Sequence, residues 1–550
     1  MPPYATRLAE FAAQRDAGSQ LPMQAKCAPP MSLSRLKSLA STLPRRIRKR
    51  FDFLLRHVTD RSWYEGFAVS GTKQPWCKLP MSDLQVFHEL GIIERAPEGT
   101  TPTGYFFGVP EWSKVPPRRR GVMHPKELND WIQSWFKSGL NLKRVEGRIT
   151  ESVQGGYAVC FDLQSGFFQV ELAEEVRDLY SFADEHGQVW RFTRMVMGAV
   201  CSAELMHMIL EVLAYANMPP RLMSRLTITS HIDNVRAIGM SPEDLTKWSH
   251  LFRRNCEYVG ATLNDEAVNE PHTQGPFCGI QHDYQAQTVC LPQSACTKLE
   301  VLRTRLHSPD ITVREFLALE SKLRYSSQIL ALHPCDFYYV LKFARRIASR
   351  PMESRATIWP SIMPQLEDWI SRVLENTPRS VKETFEGRPN LLFSDASLEG
   401  LGGVLMLSSG EVLFHARPFS DMEKTLPSGR ARSINSLEGL ALEDNLREFG
   451  ALLAGQDVTV LVDNTTVVAM TNRDSSRSFD RNLITQRSAT ILDSFNSHSV
   501  RYINTWLNPA DAPSRGAHTD IRQTQLASAM VGGSMYQDPI TSTIVPPLSY

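Results

Sequence analysis

The spacing of apolar and polar positions changes several times along this chain, and each change marks an element. Residues 33–57 mix basic and apolar positions at helical spacing, which predicts an amphipathic helix. A looser stretch with several Pro, Ala and Gln precedes it, and a Pro/Gly/Lys-rich loop is expected over 71–80. Residues 157–170, after Gly155-Gly156, alternate apolar and polar as a strand does. An apolar helix over 205–216 stops before Pro219-Pro220, and 226–240 read as strand, tight turn, strand. Helical periodicity returns over 296–350 in two or three segments, then over 364–374, followed by a polar connector to Pro389. A second α/β pattern begins at Leu391. Strands are expected at 391–394, 404–407, 411–415, 458–462 and 500–505, and helices at 434–449 and 480–495. The chain after Gly516 is polar with late prolines and is expected to be poorly ordered.

At 550 residues the chain is long enough for three or four folding units. Its net charge of +1 excludes a global polycation, so any nucleic-acid binding must come from local basic patches. Three such patches stand out: Arg45 to Arg50, Arg118 to Arg120, and Lys342, Arg345, Arg346 and Arg350 at helical spacing. The first reads equally as a nuclear-import signal or a template contact. Nine cysteines form no CxxC pair, which argues against a zinc knuckle and a disulfide framework and fits a reducing compartment. The first thirty residues lack a signal-peptide core, and no apolar run reaches the ~18 residues of a membrane span. The expectation is a soluble nuclear or cytoplasmic protein, neither secreted nor membrane-bound.

Three local patterns in the first half call for a joint explanation. Cys160-Phe161-Asp162-Leu163-Gln164-Ser165-Gly166-Phe167-Phe168 places an acid at a strand end before a turn. Met197-Gly198-Ala199-Val200 is a glycine-containing loop leading into a helix, and His231-Ile232-Asp233-Asn234 puts an acid in a turn between apolar strands. Two carboxylates on neighbouring strand ends can hold two Mg²⁺ ions about 3.5–4 Å apart, one activating a hydroxyl and the other steadying a leaving pyrophosphate.

In this order the motifs resemble the palm of reverse transcriptases. The resemblance covers about 85–290. It implies that Asp162 and Asp233 are catalytic metal ligands, helped by the Leu163 carbonyl and by Asn234 as an accessory ligand. Gly198 then lies under the incoming nucleotide, and Phe167 stands where a ribose 2′-hydroxyl would project, so dNTPs are the implied substrate. Arg118-Arg119-Arg120-Gly121-Val122 resembles the basic fingers strand, with Arg120 and Arg119 gripping the triphosphate. Residues 260–264 and Phe277-Cys278-Gly279-Ile280 resemble the late palm motifs. Two departures stand out. Asn234 replaces the usual second Asp of the turn, and Asn264-Asp265-Glu266 lacks the lysine that often follows, leaving His272 or a water as candidate proton donors.

The second half carries Asp395 after an apolar strand, Glu438 in a helix, Asp463 at a strand end and Asp511 in Asn508-Pro509-Ala510-Asp511-Ala512-Pro513-Ser514-Arg515. Four acids so placed suit two-metal phosphodiester hydrolysis. Their order resembles ribonuclease H of retroelements over about 388–516, without the histidine that many relatives carry near the last Asp; Thr505-Trp506-Leu507 takes its place. The helices between the two halves, with Thr312-Val313-Arg314-Glu315-Phe316, look like those of the DIRS-like tyrosine-recombinase group. The Ala-Asp-Ala-Pro-Ser-Arg ending looks like its kinetoplastid VIPER branch.

The expected fold is therefore an α+β right-hand polymerase (fingers, palm, thumb) followed by an α/β ribonuclease H-like domain. The expected divisions are 1–80 leader and basic helical extension, 81–295 fingers and palm, 296–387 thumb and connection, 388–516 ribonuclease H-like domain and 517–550 tail. The implied cofactor is Mg²⁺, two per active site, with Mn²⁺ as an alternative. The implied partners are an RNA template, a DNA primer, an RNA–DNA hybrid and dNTPs, with Lys342, Arg345 and Arg346 tracking the phosphate backbone. The competing reading is a catalytically degenerate or domesticated nucleic-acid-binding remnant.

Overall fold

A computed structural model describes residues 21–69, 77, 79–111, 118–140, 142–264, 270–308, 310–381, 389–518 and 524. Most of the loop expected over 71–80 lies outside them, as do Pro117, Asp265, Glu266 and nearly all of the tail.

The first half is built round a three-stranded antiparallel sheet whose middle strand is Asn234–Gly239, flanked by Tyr157–Asp162 and Leu226–His231. Alternation along Tyr157–Asp162 buries Val159 and Phe161 against the helices Ser202–Tyr215 and Pro242–Val259. Phe161 stacks on Phe252 at 4.7 Å, and Phe252 on Trp248 at 5.4 Å, so two helical turns are fixed to the back of the sheet. The helix Pro242–Val259 starts on the Ser241 cap and ends at Gly260, whose φ of 78° suits glycine.

A neighbouring sheet pairs Tyr105–Glu111 with Arg118–His124, and a short antiparallel sheet joins Ile93–Arg95, Val189–Phe192 and Ser181–Ala183. The strand expected over 157–170 stops at Asp162. A 3-10 turn, Gly166–Gln169, follows, because two bulky rings at 167 and 168 turn inward together rather than alternating.

The single helix expected over 33–57 is two, Leu33–Ala40 and Arg45–Thr59, broken at Pro44. Their buried residues, Leu36, Phe51, Leu54 and Leu55 among them, belong to the same core as the central sheet. Met31 donates its amide to Gln169 O at 2.8 Å, so the described part of the leader is tied down as well. The expected boundary at 80 therefore separates no cores.

The helices Gln293–Leu306, Val313–Leu330, Tyr338–Ile347 and Met363–Glu375 pack on a second core around Phe316, Leu323, Leu341 and Trp369. Thr312 and Glu315 close a capping box on the second of them. The short strand Arg379–Ser380 then returns to pair with Thr288–Cys290, at the edge of the sheet formed by Gln274–Phe277 and Ile280–Asp283. The expected division at 295 thus runs between elements that share a sheet.

The last unit is a five-stranded sheet in the order Val412–Pro418, Gly400–Met406, Asn390–Ala396, Asp457–Val462, Ser497–Tyr502. The first three strands are antiparallel, and the last two run parallel to Asn390–Ala396. The helices Ile434–Leu453 and Phe479–Leu492 pack together on it. An α+β first part with a helical arm and an α/β second part are the fold classes expected. Among the described residues, no helix is long and apolar enough to cross a membrane.

Candidate active sites

Asp162 and Asp233 lie at one end of the central sheet. Asp162 pairs with Asn234 in the ladder, and the next amide, Leu163 N, donates to Asp233 O at 3.1 Å. Both acids thus sit at adjoining strand ends, as the sequence reading expected. The turn holding Asp233 is tight: His231 pairs with Asn234, leaving Ile232 and Asp233 as its two central residues. Ile232 has φ 61° there, a region a β-branched side chain rarely adopts, at a cost of about 1–3 kcal/mol. Its side chain packs on the central core, which holds the strained turn in place.

Burial raises the Asp233 carboxyl above the usual range, opposed by hydrogen bonding, by the Asn234 amide at 2.9 Å and by the Arg120 charge. Asn264 Nδ2 donates to Asp162 Oδ2 at 3.3 Å. Leu163 keeps its side chain in the core. Phe167 is half-buried on the same core, and Gly166 lies against Asp233 Cβ at the distance a methyl group would touch.

The loop of Gly198 is clamped from the side. Asn129 Nδ2 donates to Gly198 O at 2.8 Å, and Asn129 Oδ1 accepts from Val200 N at 3.0 Å. A Cβ on Gly198 would stand 1.8 Å from Met123 O, so only glycine lets this loop close on the strand Arg118–His124. The partners of Asn129 lie about seventy positions away in the chain.

The two arginines proposed for the triphosphate differ. Arg119 turns inward, is 6 % exposed, ion-pairs with Asp83 at 2.7 Å and donates to Leu21 O at 2.7 Å. Its inward register on the strand puts it on the opposite face from Arg120. Arg120 is half-exposed, pairs with Glu111 at 3.0 Å, reaches towards Met197 and acts on Asp233. His272 is placed wrongly for a proton donor. It pairs with Ala158, four residues and about 13 Å down the strand from Asp162. In the third basic patch, Lys342 and Arg345 lie over the Tyr338 ring while Arg346 covers Trp359. Arg50 of the first patch is structural, pairing with the buried Glu204 at 2.6 Å.

The second site gathers its acids more tightly. Ligand oxygens of Asp395, Glu438 and Asp463 lie within 4.8 Å of one another. Asp395 is on a central strand, Asp463 follows its parallel neighbour, and Glu438 faces them from the helix Ile434–Leu453. Burial, then the neighbouring carboxylates, push Glu438 up to about 9. Burial and the charges of Asp463 and Asp511 push Asp395 up to about 7, against a hydrogen bond of 2.5 Å from Ser514 Oγ. Glu438 Oε2 and Asp463 Oδ1 are buried with no hydrogen-bond partner, an arrangement that costs free energy unless a cation fills the space between them. The fit to a divalent metal is good.

Asp511 stands at the rim, paired with Arg515 at 2.9 Å, and its charge is felt by both buried acids. Its short helix docks on the glycine strand. A Cβ at Gly402 would lie 2.5 Å from both Ala510 O and Ser514 N, and Ser397 Oγ donates to Ser514 O at 2.7 Å. Ser514 was read only as a motif letter; it is the hydroxyl that fixes Asp395.

No family model matches the chain. Over 118 residues, 21% of the chain, it is 29% identical to the retrovirus-related Pol polyprotein from transposon 412 of Drosophila melanogaster, and the match spans 9% of that protein's length. A structure of the foamy viral protease-reverse transcriptase in complex with double-stranded DNA aligns over 88% of this chain and 84% of its own, at 15% identity and a TM-score of 0.46. Another, in complex with RNA/DNA hybrid, aligns over 88% and 64%, at 14% identity and a TM-score of 0.45. The chain is similar in sequence to part of a retrotransposon polyprotein, and its fold holds two separate acid sites.

Proposed function

We propose that the chain is an RNA-directed DNA polymerase with ribonuclease H activity, serving retroelement replication. The observation that carries the reading is that the strand end at Asp162 adjoins the turn of Asp233, Asp162 pairing with Asn234 and Leu163 N bonding Asp233 O, in a chain that also collects Asp395, Glu438 and Asp463 around one point. The similarity to a transposon Pol polyprotein supports it.

Asp162 and Asp233 are the residues that would hold Mg²⁺ at the first site, and Asp395, Glu438, Asp463 and Asp511 at the second. Bound there, the ions supply Lewis acidity to the attacking oxygen and to the leaving one. The chain does the positioning. Asn264 and Asn234 orient the two palm carboxylates, and Asn129 fixes the Gly198 loop. Phe167 excludes a 2′-hydroxyl, and Arg120 meets the triphosphate. Ser514 orients Asp395 at the hydrolytic site.

The test is primer extension on an RNA template, beside cleavage of an RNA–DNA hybrid. Asp162→Asn should abolish extension and spare cleavage; Asp463→Asn should do the reverse. Loss of both by either substitution, or of neither, overturns the reading. Asn234 favours a second reading, a remnant that binds nucleic acid without extending it, because it brings an amide where a second carboxylate is usual. Binding without extension by the unaltered chain would establish that one.

A further inference from the structure

A second polar cluster lies away from both acid sites, at the contact between the helical arm and the α/β unit. The 3-10 turn Pro334–Phe337 and the residue before it bring His333 and Cys335 against Asp474, which lies between the helices Thr465–Asn472 and Phe479–Leu492. His333 Nδ1 is 2.6 Å from Asp474 Oδ2, and Cys335 Sγ is 3.2 Å from Asp474 Oδ1. His333 Nε2 is 2.7 Å from Asp493 Oδ2. Cys335 is 1 % exposed, while His333 remains partly open to solvent.

We propose that His333, Cys335 and Asp474 form a zinc-class metal site that fastens the helical arm to the α/β unit. Their three donor atoms, one each of nitrogen, sulfur and oxygen, lie within 4.8 Å of one another. Tetrahedral zinc with bonds of about 2.0–2.3 Å separates its ligand atoms by roughly 3.3–3.7 Å, so the His333–Asp474 pair, 2.6 Å apart, opens by roughly 0.7 Å to admit the ion. The ligand set selects a borderline-soft ion over Mg²⁺, because thiolate and imidazole are poor partners for a hard cation. The fourth position falls to water or to the second Asp474 oxygen.

Two further features suit a ligand role. Asp493 takes up the far nitrogen of His333, the carboxylate–histidine arrangement that turns Nδ1 towards Asp474, where a metal would replace the Nδ1–Asp474 hydrogen bond. The turn is also anchored independently of the cluster. Asn482 Nδ2 donates to Cys335 O at 2.7 Å, Gln486 Nε2 to Asp336 Oδ1 at 2.8 Å, and the Tyr338 hydroxyl to Arg477 O at 3.1 Å. Among the described residues no Lys or Arg pairs with Asp474, so a dication held by the Cys335 thiolate and Asp474 is neutralised by them, with the Asp493 charge left over on the far side of His333. Binding releases the thiol proton of Cys335 and any proton on His333 Nδ1 to solvent.

The experiment uses the full chain purified without chelator. Elemental analysis should find about one zinc per chain, lost with EDTA and restored by Zn²⁺. Cobalt exchanged into the site should show a thiolate-to-cobalt charge-transfer band. Cys335→Ser should remove the band and the zinc, and Asp493→Asn should weaken zinc affinity about 10–100-fold. Asp463→Asn, at the hydrolytic site, should keep the full zinc content. Absence of both zinc and band from the unaltered chain overturns the proposal and leaves His333 as a charged bridge between two aspartates. Retention of zinc by Cys335→Ser overturns it too.

Discussion

Asn234 Nδ2 donates to Asp233 Oδ1 at 2.9 Å, so the residue that departs from the usual acid pair is bonded to the acid that remains. The amide fixes the carboxylate's rotation and occupies one of its two oxygens. Asn234→Ala should therefore lower primer extension about tenfold, the worth of one hydrogen bond to a charged group, and raise the Mg²⁺ needed for half-maximal rate. Asn234→Asp, which replaces the donor by a second anion, should recover the rate at high Mg²⁺ but not at low Mg²⁺. Titrating Mg²⁺ against single-turnover extension separates the two. Equal Mg²⁺ dependence for all three chains would remove the orienting role.

Adjacent arginines should give opposite phenotypes. Arg119 is buried on Asp83, so Arg119→Ala strands a carboxylate and should cost about 3 kcal/mol of stability, read as a lower urea midpoint. Arg120→Ala breaks only a half-exposed pair with Glu111 and should change stability by less than about 1 kcal/mol. Its effect should appear in KM for dNTP, raised about tenfold by loss of a guanidinium–phosphate contact. Reversed phenotypes would return Arg119 to the nucleotide side.

Four of the six acids were legible because each occupies a strand end or a turn, where the chain itself keeps the motif together, whereas Glu438 and Asp511 belong to helices. Asp162, Asp233, Asp395 and Asp463 could all be read that way. What escaped was whatever depended on the opposite face or on a distant partner. The strand Gly400–Met406 was expected only from 404, because Gly400, Gly402 and Gly403 carry no pattern. Those glycines are required from outside, by Ala510 and Ser514 at Gly402 and by the Asn445 side chain at Gly403. Arg119 and Arg120 look alike in sequence, and only the register against Tyr105–Glu111 and Met23–Gln24 decides which turns inward. His272 was a reasonable candidate by position in the chain, but the ladder sets it at the wrong end of the strand.

Without metal, the second acid site should remain under repulsion that the proton kept by Glu438 relieves only in part. Asp395, Glu438 and Asp463 crowd together, and two of their oxygens lack partners. Asp463→Asn removes one charge and should raise Tm in EDTA by about 2–4 °C, a gain of order 1 kcal/mol in a domain of this size. Mg²⁺ should raise the Tm of the unaltered chain through binding to the folded state, and this shift should largely vanish in Asp463→Asn. Differential scanning calorimetry with and without Mg²⁺ reads both. A lower Tm for the variant in EDTA would mean that the acids are held apart by something other than their charges.

The last expectation concerns acid stability and starts from His57, wholly buried in the N-terminal helix Arg45–Thr59. The Tyr64 hydroxyl lies 2.6 Å from its Nδ1, Tyr180 approaches at 3.2 Å, and Trp63 covers the ring edge-on. Burial raises both tyrosines well above their usual range, so they stay neutral and give an imidazolium nothing to pair with. Burial accordingly lowers His57 to about 3. In the unfolded chain its value returns to about 6.5, so the unfolded state takes up a proton that the folded state refuses. The stability contributed by neutral His57 is fully present above pH 6.5 and is lost progressively as pH falls towards 3. At pH 5.5 the loss is about 1.4 kcal/mol, one decade below the unfolded value. Urea midpoints measured from pH 7.5 to 5 should fall for the unaltered chain. They should fall less for His57→Gln, whose amide still meets the tyrosine hydroxyls and cannot titrate. Parallel slopes for the two chains would show that the acid sensitivity arises elsewhere, because no other change separates them.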